Sequence, residues 1–290
     1  MQFGLSIPQL EDFADIRRLA DLAQEAEEAG WDGFFIWDHI LFDDLERRVI
    51  DPWVALATIA VLTNKIQVGP MVTPVARRRP WKLAREALSI DHLSNGRLIL
   101  GVGLGAPAEW EFGSFGEETN PKVRARKMDE GLDIFRGLLS GEPFRYEGEF
   151  YHLDEMRFLP KPVRSPHIPI WVGGTWPNKK PLQRAVQYDG YFPDVLQHPM
   201  AADDWLSVAE FVESQRGDGA LFDFVQYGVT PGDDLEAASA VLAPYQEVGV
   251  TWWIEGISPF DYGFDWSDPW TSEIVEKLEL RIRQGPPRII

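Results

Sequence analysis

The chain has 290 residues, no cysteine and a formal net charge of −18, from 28 Lys and Arg and 46 Asp and Glu. Such an acidic chain is a poor candidate for binding nucleic acid or an anionic membrane surface. The absence of cysteine excludes disulfides, thiolate metal sites and a cysteine nucleophile. The start of the chain has no secretory pattern and no long apolar segment occurs, so we expect a cytoplasmic protein that does not enter membranes.

Strands and helices alternate along the first third of the chain. Short apolar runs bounded by proline or glycine predict strands, and apolar residues spaced three or four apart predict helices. The predicted strands are 3–7, 33–37, 66–72 and 98–102, and the predicted helices between them are 13–29, 52–63 and 80–93.

A further helix is predicted over 123–139, and the alternation is then interrupted. Residues 141–162 have the pattern of a hairpin and an extended arm. Beyond them the pattern predicts strands at 168–172, 190–192, 222–229 and 250–254, with helices at 181–188, 201–215, 233–248 and 269–283.

Eight β/α units without a break in composition predict an α/β fold, a single (β/α)8 TIM barrel over residues 1–290. The insertion, at about 105–166, falls between strand 4 and strand 5. A doubly wound open sheet is the alternative.

In a (β/α)8 barrel the ligand site lies where the strands end. Asp38 and His39 follow strand 2, while Glu109 and Glu111 follow the glycines after strand 4. His39 is a candidate general acid or proton donor. A histidine at a strand end is also often a hydrogen-bonded structural residue.

Glycine-rich strand ends and a basic loop indicate a flat or anionic ligand. Gly103 and Gly105 allow the backbone to approach a ligand closely, although their spacing is not that of a dinucleotide-binding fingerprint. The segment 173–175, Gly-Gly-Thr, can offer N–H and hydroxyl donors to a phosphate. Arginines 77–79 either attract an anionic group or pair with surface carboxylates. No histidine and carboxylate set has metal-ligand spacing, so no metal site is predicted.

Several motifs up to about residue 195 match one known superfamily. The most specific is Asp-His-Leu-Ser-Asn-Gly-Arg at 91–97. Others lie at 30–39, 51–53, 73–74, 78–80, 101–103, 115–116 and 169–174. On these motifs the chain resembles the luciferase-like superfamily of flavin (FMN) or coenzyme F420-dependent oxidoreductases.

The resemblance implies a (β/α)8 barrel, usually a homodimer, that holds F420 or FMN at its mouth. It also implies a strained, sometimes cis, peptide within 69–73. His39 matches the histidine near the redox ring, and either Glu109 or Glu111 matches the glutamate. The implied cofactor-binding set is Asp38, Met71, Val72, Thr73, Arg78, Gly103, Gly105, Gly173, Gly174 and Thr175.

The resulting hypothesis is two-electron chemistry on a bound ring, with a small organic substrate. His39 would exchange a proton with the substrate, assisted by Glu109 or Glu111. The FMN form would oxygenate the substrate with O2, with a separate flavin or F420 reductase as a candidate partner, whereas the F420 form would transfer hydride. Two alternatives are a barrel hydrolase with paired carboxylates, such as Asp38 and Glu109, and a barrel that binds flavin without turnover.

Overall fold

The strands form one parallel sheet and one small hairpin. The structure is a computed structural model that describes residues 1–43, 45–194, 200–217, 219, 221–265 and 267–287. The described strands are β1 (Gln2–Ile7), β2 (Gly33–Ile36), β3 (Gln67–Pro70), β4 (Thr73–Pro74), β5 (Leu100–Gly103), β6 (Phe144–Glu147), β7 (His152–Met156), β8 (Ile170–Thr175), β9 (Gly190–Asp194), β10 (Asp223–Gly228) and β11 (Trp252–Gly256).

Helices follow most strands of the sheet. They are α1 (Ile16–Ala29), α2 (Pro52–Leu62), α3 (Pro80–Leu93), α4 (Ala108–Glu111), α5 (Pro121–Leu139), α6 (Lys179–Ala185), α7 (Ala202–Arg216), α8 (Leu235–Glu247) and α9 (Ser272–Arg283). Local chemistry sets several helix starts; the Asp51 carboxylate, for example, accepts the first N–H groups of α2 just before Pro52. In the described part of the chain, no helix is long and apolar enough to cross a membrane.

The sheet closes on itself as a barrel. Its strand order is β3-β2-β1-β11-β10-β9-β8-β5-β4, so β3 and β4, consecutive in sequence, lie at opposite ends of this order. The Val68 N–H donates to Arg97 O at 3.1 Å, and the Ile99 N–H donates to Val68 O at 2.9 Å. These bonds join β3 to the segment that leads into β5. The predicted (β/α)8 barrel is confirmed.

The third predicted strand, 66–72, ends early. Strand β3 covers only Gln67–Pro70, a second short strand β4 follows at Thr73–Pro74, and the Met71–Val72 peptide bond between them is cis. The resemblance placed such a bond within 69–73, and this expectation is confirmed. The hairpin of the insertion is also confirmed, because β6 and β7 pair antiparallel between α5 and β8.

Some predicted boundaries were wrong for identifiable reasons. The first helix begins at Ile16 rather than residue 13, because Asp15 caps it and residues 11–13 form a separate 3-10 turn. The segment 173–175, which follows the predicted strand 168–172, is the last part of β8. There it pairs with residues 192–194 of β9, so the glycines lie inside the sheet.

Large side chains fill the barrel interior, and glycines make room for them. A Cβ on Gly33 would collide with the ring of Phe35, and one on Gly69 would collide with the backbone of Ile99. The buried interior cluster consists of Phe35, Met71, Ile99, Trp171, Val225, Trp252 and Ile254. Above it, three partly buried residues form the floor of the barrel mouth: Val72, Phe192 and Tyr227.

Candidate active site

Asp38, just after β2, is a fully buried anchor for two arginines. Its carboxylate accepts hydrogen bonds from Arg77 Nη2 at 2.5 Å and Arg78 Nη2 at 2.8 Å. Thr73 Oγ1 donates at 2.7 Å and Trp53 Nε1 donates at 3.2 Å. Burial raises the pKa of Asp38, but Arg78 and Arg77 outweigh it and hold that pKa below its usual value. Asp38 is therefore a carboxylate at neutral pH.

Glu111 is buried at the end of α4 and lies beside His39. Its Oε1 accepts the Phe42 N–H at 2.9 Å and lies 3.1 Å from His39 Nδ1. Its Oε2 pairs with Arg77 and accepts the Ile40 N–H at 3.2 Å. Arg77 thus bridges the two buried carboxylates, Glu111 and Asp38, and joins the ends of two strands into one network.

His39 is poised as a neutral base. Its side chain is 17% exposed, and its ring lies edge-on to Phe42 with the centroids 4.7 Å apart. Burial lowers the pKa of His39 to about 4, opposed by Asp38 and assisted by Arg77. In the neutral ring Nδ1 donates to the Glu111 carboxylate, which leaves Nε2 with its lone pair. Within the described residues Nε2 has no protein partner.

At the mouth, glycines at the ends of β5 and β8 lie against the side chain of Val72. A Cβ on Gly103 would lie 2.6 Å from Val72 Cγ2, and one on Gly173 would lie 3.2 Å from Val72 Cγ1. Gly105 has a φ of +79°, and a Cβ there would lie 2.8 Å from Pro74. Glycine at these positions makes room for the side chains of Val72 and Pro74, which pack against the backbone of the mouth.

Aromatic rings and apolar side chains enclose His39. Trp37 stacks between Phe42, at 6.3 Å, and Phe260, at 6.5 Å between ring centroids. A cavity of about 270 Å³ lies beside the network, lined by Asp38, His39, Ile40, Val49, Ile50, Asp51, Pro52, Arg77 and Arg78. In the described part of the chain no group of three or more His, Asp or Glu side chains can hold a metal ion.

The structure distinguishes between the two candidate glutamates. Glu111 contacts His39, whereas Glu109 is exposed on α4 and, among the described contacts, its side chain does not reach His39. Asp38 and Glu109 were the example pair of the hydrolase alternative. These two side chains are not arranged as a catalytic pair, because both Asp38 oxygens accept hydrogen bonds from arginine and Glu109 is exposed.

The other predicted site residues lie in different parts of the barrel. Thr73 and Arg78 lie in the Asp38 network, and Thr73 also pairs with Val102 on β5, next to Gly103. Val72, Gly103, Gly105 and Gly173 lie at the mouth, while Met71 belongs to the buried interior. A Cβ on Gly174 would collide with Pro181, so this glycine serves the packing of α6 on β8. Thr175 is partly exposed at the end of β8.

Sequence reasoning missed Arg77, Trp53 and Tyr227 as site residues. Arg77 was visible in the basic cluster, and two buried carboxylates would have required such a counter-charge. Trp53 belongs to the motif at 51–53, but only the fold brings its Nε1 to Asp38. Tyr227 belongs to no motif that the sequence shows. Its position at the mouth is set by the register of β10 against β11.

A (β/α)8 barrel with a histidine and carboxylate pair at its mouth is the class that the fold and the site define. Residues 1–268 match the model of the luciferase-like monooxygenase family. The chain belongs to this family.

Relatives with and without a described activity match the chain. A protein of Mycobacterium tuberculosis without a described function is 32% identical over 217 residues, 74% of this chain and 72% of that protein. The F420-dependent glucose-6-phosphate dehydrogenase of Nakamurella multipartita is 32% identical over 193 residues, covering 65% of this chain and 55% of that enzyme.

Two solved structures share the fold over almost the whole chain. The F420-dependent tetrahydromethanopterin reductase of Methanopyrus kandleri has a TM-score of 0.72 at 18% identity, covering 98% of this chain and 96% of that one. The monooxygenase RslO1 of Streptomyces bottropensis has a TM-score of 0.72 at 19% identity and covers 98% of both chains.

Proposed function

We propose that the protein is an oxidoreductase that transfers hydride between F420 and a small organic substrate at the mouth of the barrel. The observation that carries this proposal is the His39–Glu111 pair, 3.1 Å apart, beside a floor of glycine residues. The F420-dependent relatives support F420 as the cofactor.

The residues at the mouth fit a flat redox ring. The ring would lie on Val72 and the bare backbone of Gly103 and Gly173, where any Cβ would crowd Val72. The N–H and hydroxyl groups of Thr175 are candidate donors to an anionic tail. When bound, F420 supplies a two-electron acceptor or donor of hydride.

His39 handles the proton in this proposal. Its neutral Nε2 accepts the proton of a substrate hydroxyl while the neighbouring C–H bond gives up its hydride. The imidazolium that forms is stabilised by Glu111 at Nδ1, and Arg77 balances the charge of that carboxylate. The stacked rings of Trp37 and Phe260 limit the access of water to the exchange.

Separate titrations with F420 and with FMN test the cofactor, followed by absorbance and tryptophan fluorescence. We expect F420 to bind and FMN to bind more weakly, and we expect H39N to keep cofactor binding while it loses hydride transfer by about 100-fold or more. H92N is the matched control, because His92 is exposed and bonds only the Lys161 carbonyl among the described contacts. Unchanged turnover in H39N would remove His39 from the mechanism.

A second candidate is an FMN-dependent monooxygenase, which the description of the family and the likeness to RslO1 favour. That activity consumes O2 and needs reduced flavin, so a separate reductase would be its partner. Tight FMN binding together with substrate-dependent O2 consumption would replace hydride transfer to F420 as the proposal.

We also propose that two copies of the chain pair through α2 and that the enzyme works in the cytoplasm. The sequence of α2, PWVALATIAVL, is apolar on all sides, although a helix at the surface of a barrel needs only one apolar face. Val54, Val61 and Leu62 are 54%, 61% and 42% exposed on this helix. A second copy of the same face is the occupant that would cover them without an unpaired charge. Sedimentation measures the pairing, and cell fractionation measures the location.

A further inference from the structure

A second polar group lies at the mouth, on strands that the His39 network does not use. Tyr227 on β10 packs on the interior cluster two residues after Val225 and is partly exposed above it. Its ring lies against that of Phe192, with the centroids 6.4 Å apart and the planes at 63°. Tyr227 is therefore part of the surface on which a ligand would rest.

The phenol proton of Tyr227 is already committed. Its Oη donates to Asp261 Oδ1 at 2.7 Å. The other oxygen, Asp261 Oδ2, accepts the Ser258 N–H at 2.9 Å and the Ser258 hydroxyl at 2.6 Å. Three donors converge on Asp261, which is the pattern of an ionised carboxylate. Burial raises the pKa of Asp261, and the hydrogen bonds from Ser258 and Tyr227 oppose that shift.

The surroundings keep this arrangement in place. Burial raises the pKa of Tyr227 well above its usual value, and the neighbouring Asp261 adds to the effect, so the phenol stays protonated. A Cβ on Gly256, at the end of β11, would collide with both Tyr227 Oη and Asp261. The bare backbone of Gly256 thus leaves room for the hydroxyl and the carboxylate to meet across the strand end.

We propose that Tyr227 is a specificity-determining residue that accepts a hydrogen bond from a donor group of the substrate, a hydroxyl or an amine, with Asp261 as its positioning residue. A phenol whose single proton is given to a carboxylate has only lone pairs left to offer, and the carboxylate strengthens them as acceptors. This inference rests on the proposed function, because it concerns the substrate of that site.

The donor group that Tyr227 accepts from is distinct from the hydroxyl that reacts, because the single proton of the reacting hydroxyl goes to His39 Nε2 in the proposed function. A second hydroxyl or an amine of the substrate can donate to Tyr227 Oη both before and after hydride transfer. We therefore expect the site to select substrates that carry this second donor.

Two probes that differ in one donor test this inference on F420-loaded protein. Benzyl alcohol carries a hydroxyl donor, and benzyl methyl ether places a methyl group where the hydrogen was. Binding of each is measured by quenching of tryptophan fluorescence. We expect the wild type to bind the alcohol roughly 3- to 10-fold more tightly, the net worth of one neutral hydrogen bond.

Two variants keep the test sharp. Tyr227→Phe removes the acceptor, so we expect the two probes to bind about equally. In Asp261→Asn the Ser258 N–H still needs an acceptor, so the amide oxygen faces Ser258 and the amide nitrogen faces Tyr227. Because the amide nitrogen is a donor, the phenol no longer gives its proton to residue 261 and can point it toward the mouth. We expect the preference to shift toward the ether in that variant. Tyr146→Phe, in the hairpin strand β6, is the matched control and should leave the ratio unchanged.

The outcomes separate this inference from the proposed function. F420 affinity and melting temperature are measured on the same samples. Intact F420 binding with an unchanged probe ratio in Tyr227→Phe, or a wild type without preference, would overturn the role of Tyr227 alone. Failure of the wild type to bind F420 counts against the proposed function, and the ratio measured without cofactor still decides the role of Tyr227.

Discussion

Arg77 bridges the two buried carboxylates that lie beside His39. It reaches Asp38 with one guanidinium nitrogen and Glu111 with the other, and only a planar fork can serve two carboxylates in this way. Both carboxylates are fully buried, so each would carry a large desolvation cost without a counter-charge. The orientation of Glu111 toward His39 thus rests on Arg77.

Replacement of Arg77 should destabilise the protein and displace Glu111. Arg77→Met leaves Glu111 without its arginine and Asp38 with Arg78 alone, and we expect a loss of about 3–5 kcal/mol in the free energy of unfolding. Urea denaturation measures this loss. Arg79→Met is the control, since Arg79 is exposed. A loss below about 1 kcal/mol, the size of an exposed ion pair, would contradict the bridging role.

The low pKa of His39 predicts how the free energy of unfolding depends on pH. The ordinary pKa is 6.5 and the folded value is about 4, so protons bind the unfolded chain first as the pH falls. Neutral His39 contributes roughly 3 kcal/mol to the free energy of unfolding above pH 6.5. This contribution is lost as the pH falls from 6.5 to about 4.

The difference in unfolding free energy between the wild type and His39→Gln, measured at steps from pH 7 to pH 4, isolates this contribution. Nuclear magnetic resonance of the imidazole should show a midpoint near pH 4. A midpoint at or above 6.5 would mean that the nearby carboxylates outweigh burial, and it would remove His39 as a neutral base.

At the scale of elements, the last helix is tied to the barrel by a second buried ion pair. Arg281 on α9 reaches Glu255 Oε1 on β11 at 3.2 Å. Glu255 also accepts the Thr230 N–H at 2.7 Å and Trp253 Nε1 at 3.0 Å. Burial raises the pKa of Glu255, and Arg281 opposes that shift. Without Arg281 the carboxylate would be buried with neutral donors alone.

Breaking this pair should loosen α9 more than replacing both partners does. We expect Arg281→Met to cost about 3–5 kcal/mol, because Glu255 is left buried without a cation. The double variant Glu255→Gln with Arg281→Met should recover part of that loss, since no charge then stays buried. Hydrogen exchange of the α9 amides and urea unfolding measure both effects. Equal losses in the single and double variants would show that the charge pair is not the cause.

The sequence was informative for elements whose signals are local. Helix α3 lies where the Pro80 start and the apolar spacing place it. The barrel, the hairpin and the carboxyl-end site also follow from alternation and chain order. The cis peptide at Met71–Val72 was expected from the resemblance and not from the pattern. The interruption between β3 and β4 was not predicted, because an apolar run does not reveal where a strand is broken.

Other features depend on contacts distant in the sequence. Glu109 and Glu111 both sit on α4, a single turn, and nothing local decides which one points inward. The decision comes from Arg77 and from the backbone N–H groups after His39, which surround Glu111. The Gly-Gly pair at 173–174 was placed after the predicted strand, because the sequence does not show that these residues pair with β9.

At the scale of the whole molecule, the mouth has two polar sides. The β2 side carries His39 with Glu111, and the β10 side carries Tyr227 with Asp261. The glycine floor around Val72 belongs to the same mouth. Under the proposed function, the proton is exchanged at one side while the other side holds a donor group of the substrate.

The last prediction concerns the outer surface, where α2 exposes an apolar stripe that a monomer does not need. Val54, Val61 and Leu62 fall at positions i, i+7 and i+8, so they lie on one face of the helix. If a second copy covers this face, Val61→Glu buries an unpaired charge, and we expect the dissociation constant of the dimer to rise by about 100-fold or more.

Analytical ultracentrifugation across a dilution series measures that shift. Val241→Glu is the matched control, because Val241 is also exposed but lies on α8 and not on the apolar face of α2. The melting temperature of the monomeric Val61→Glu protein should stay close to that of a diluted wild type, because an exposed position tolerates a charge. If the wild type sediments as a monomer at micromolar concentration, the dimer proposal is wrong.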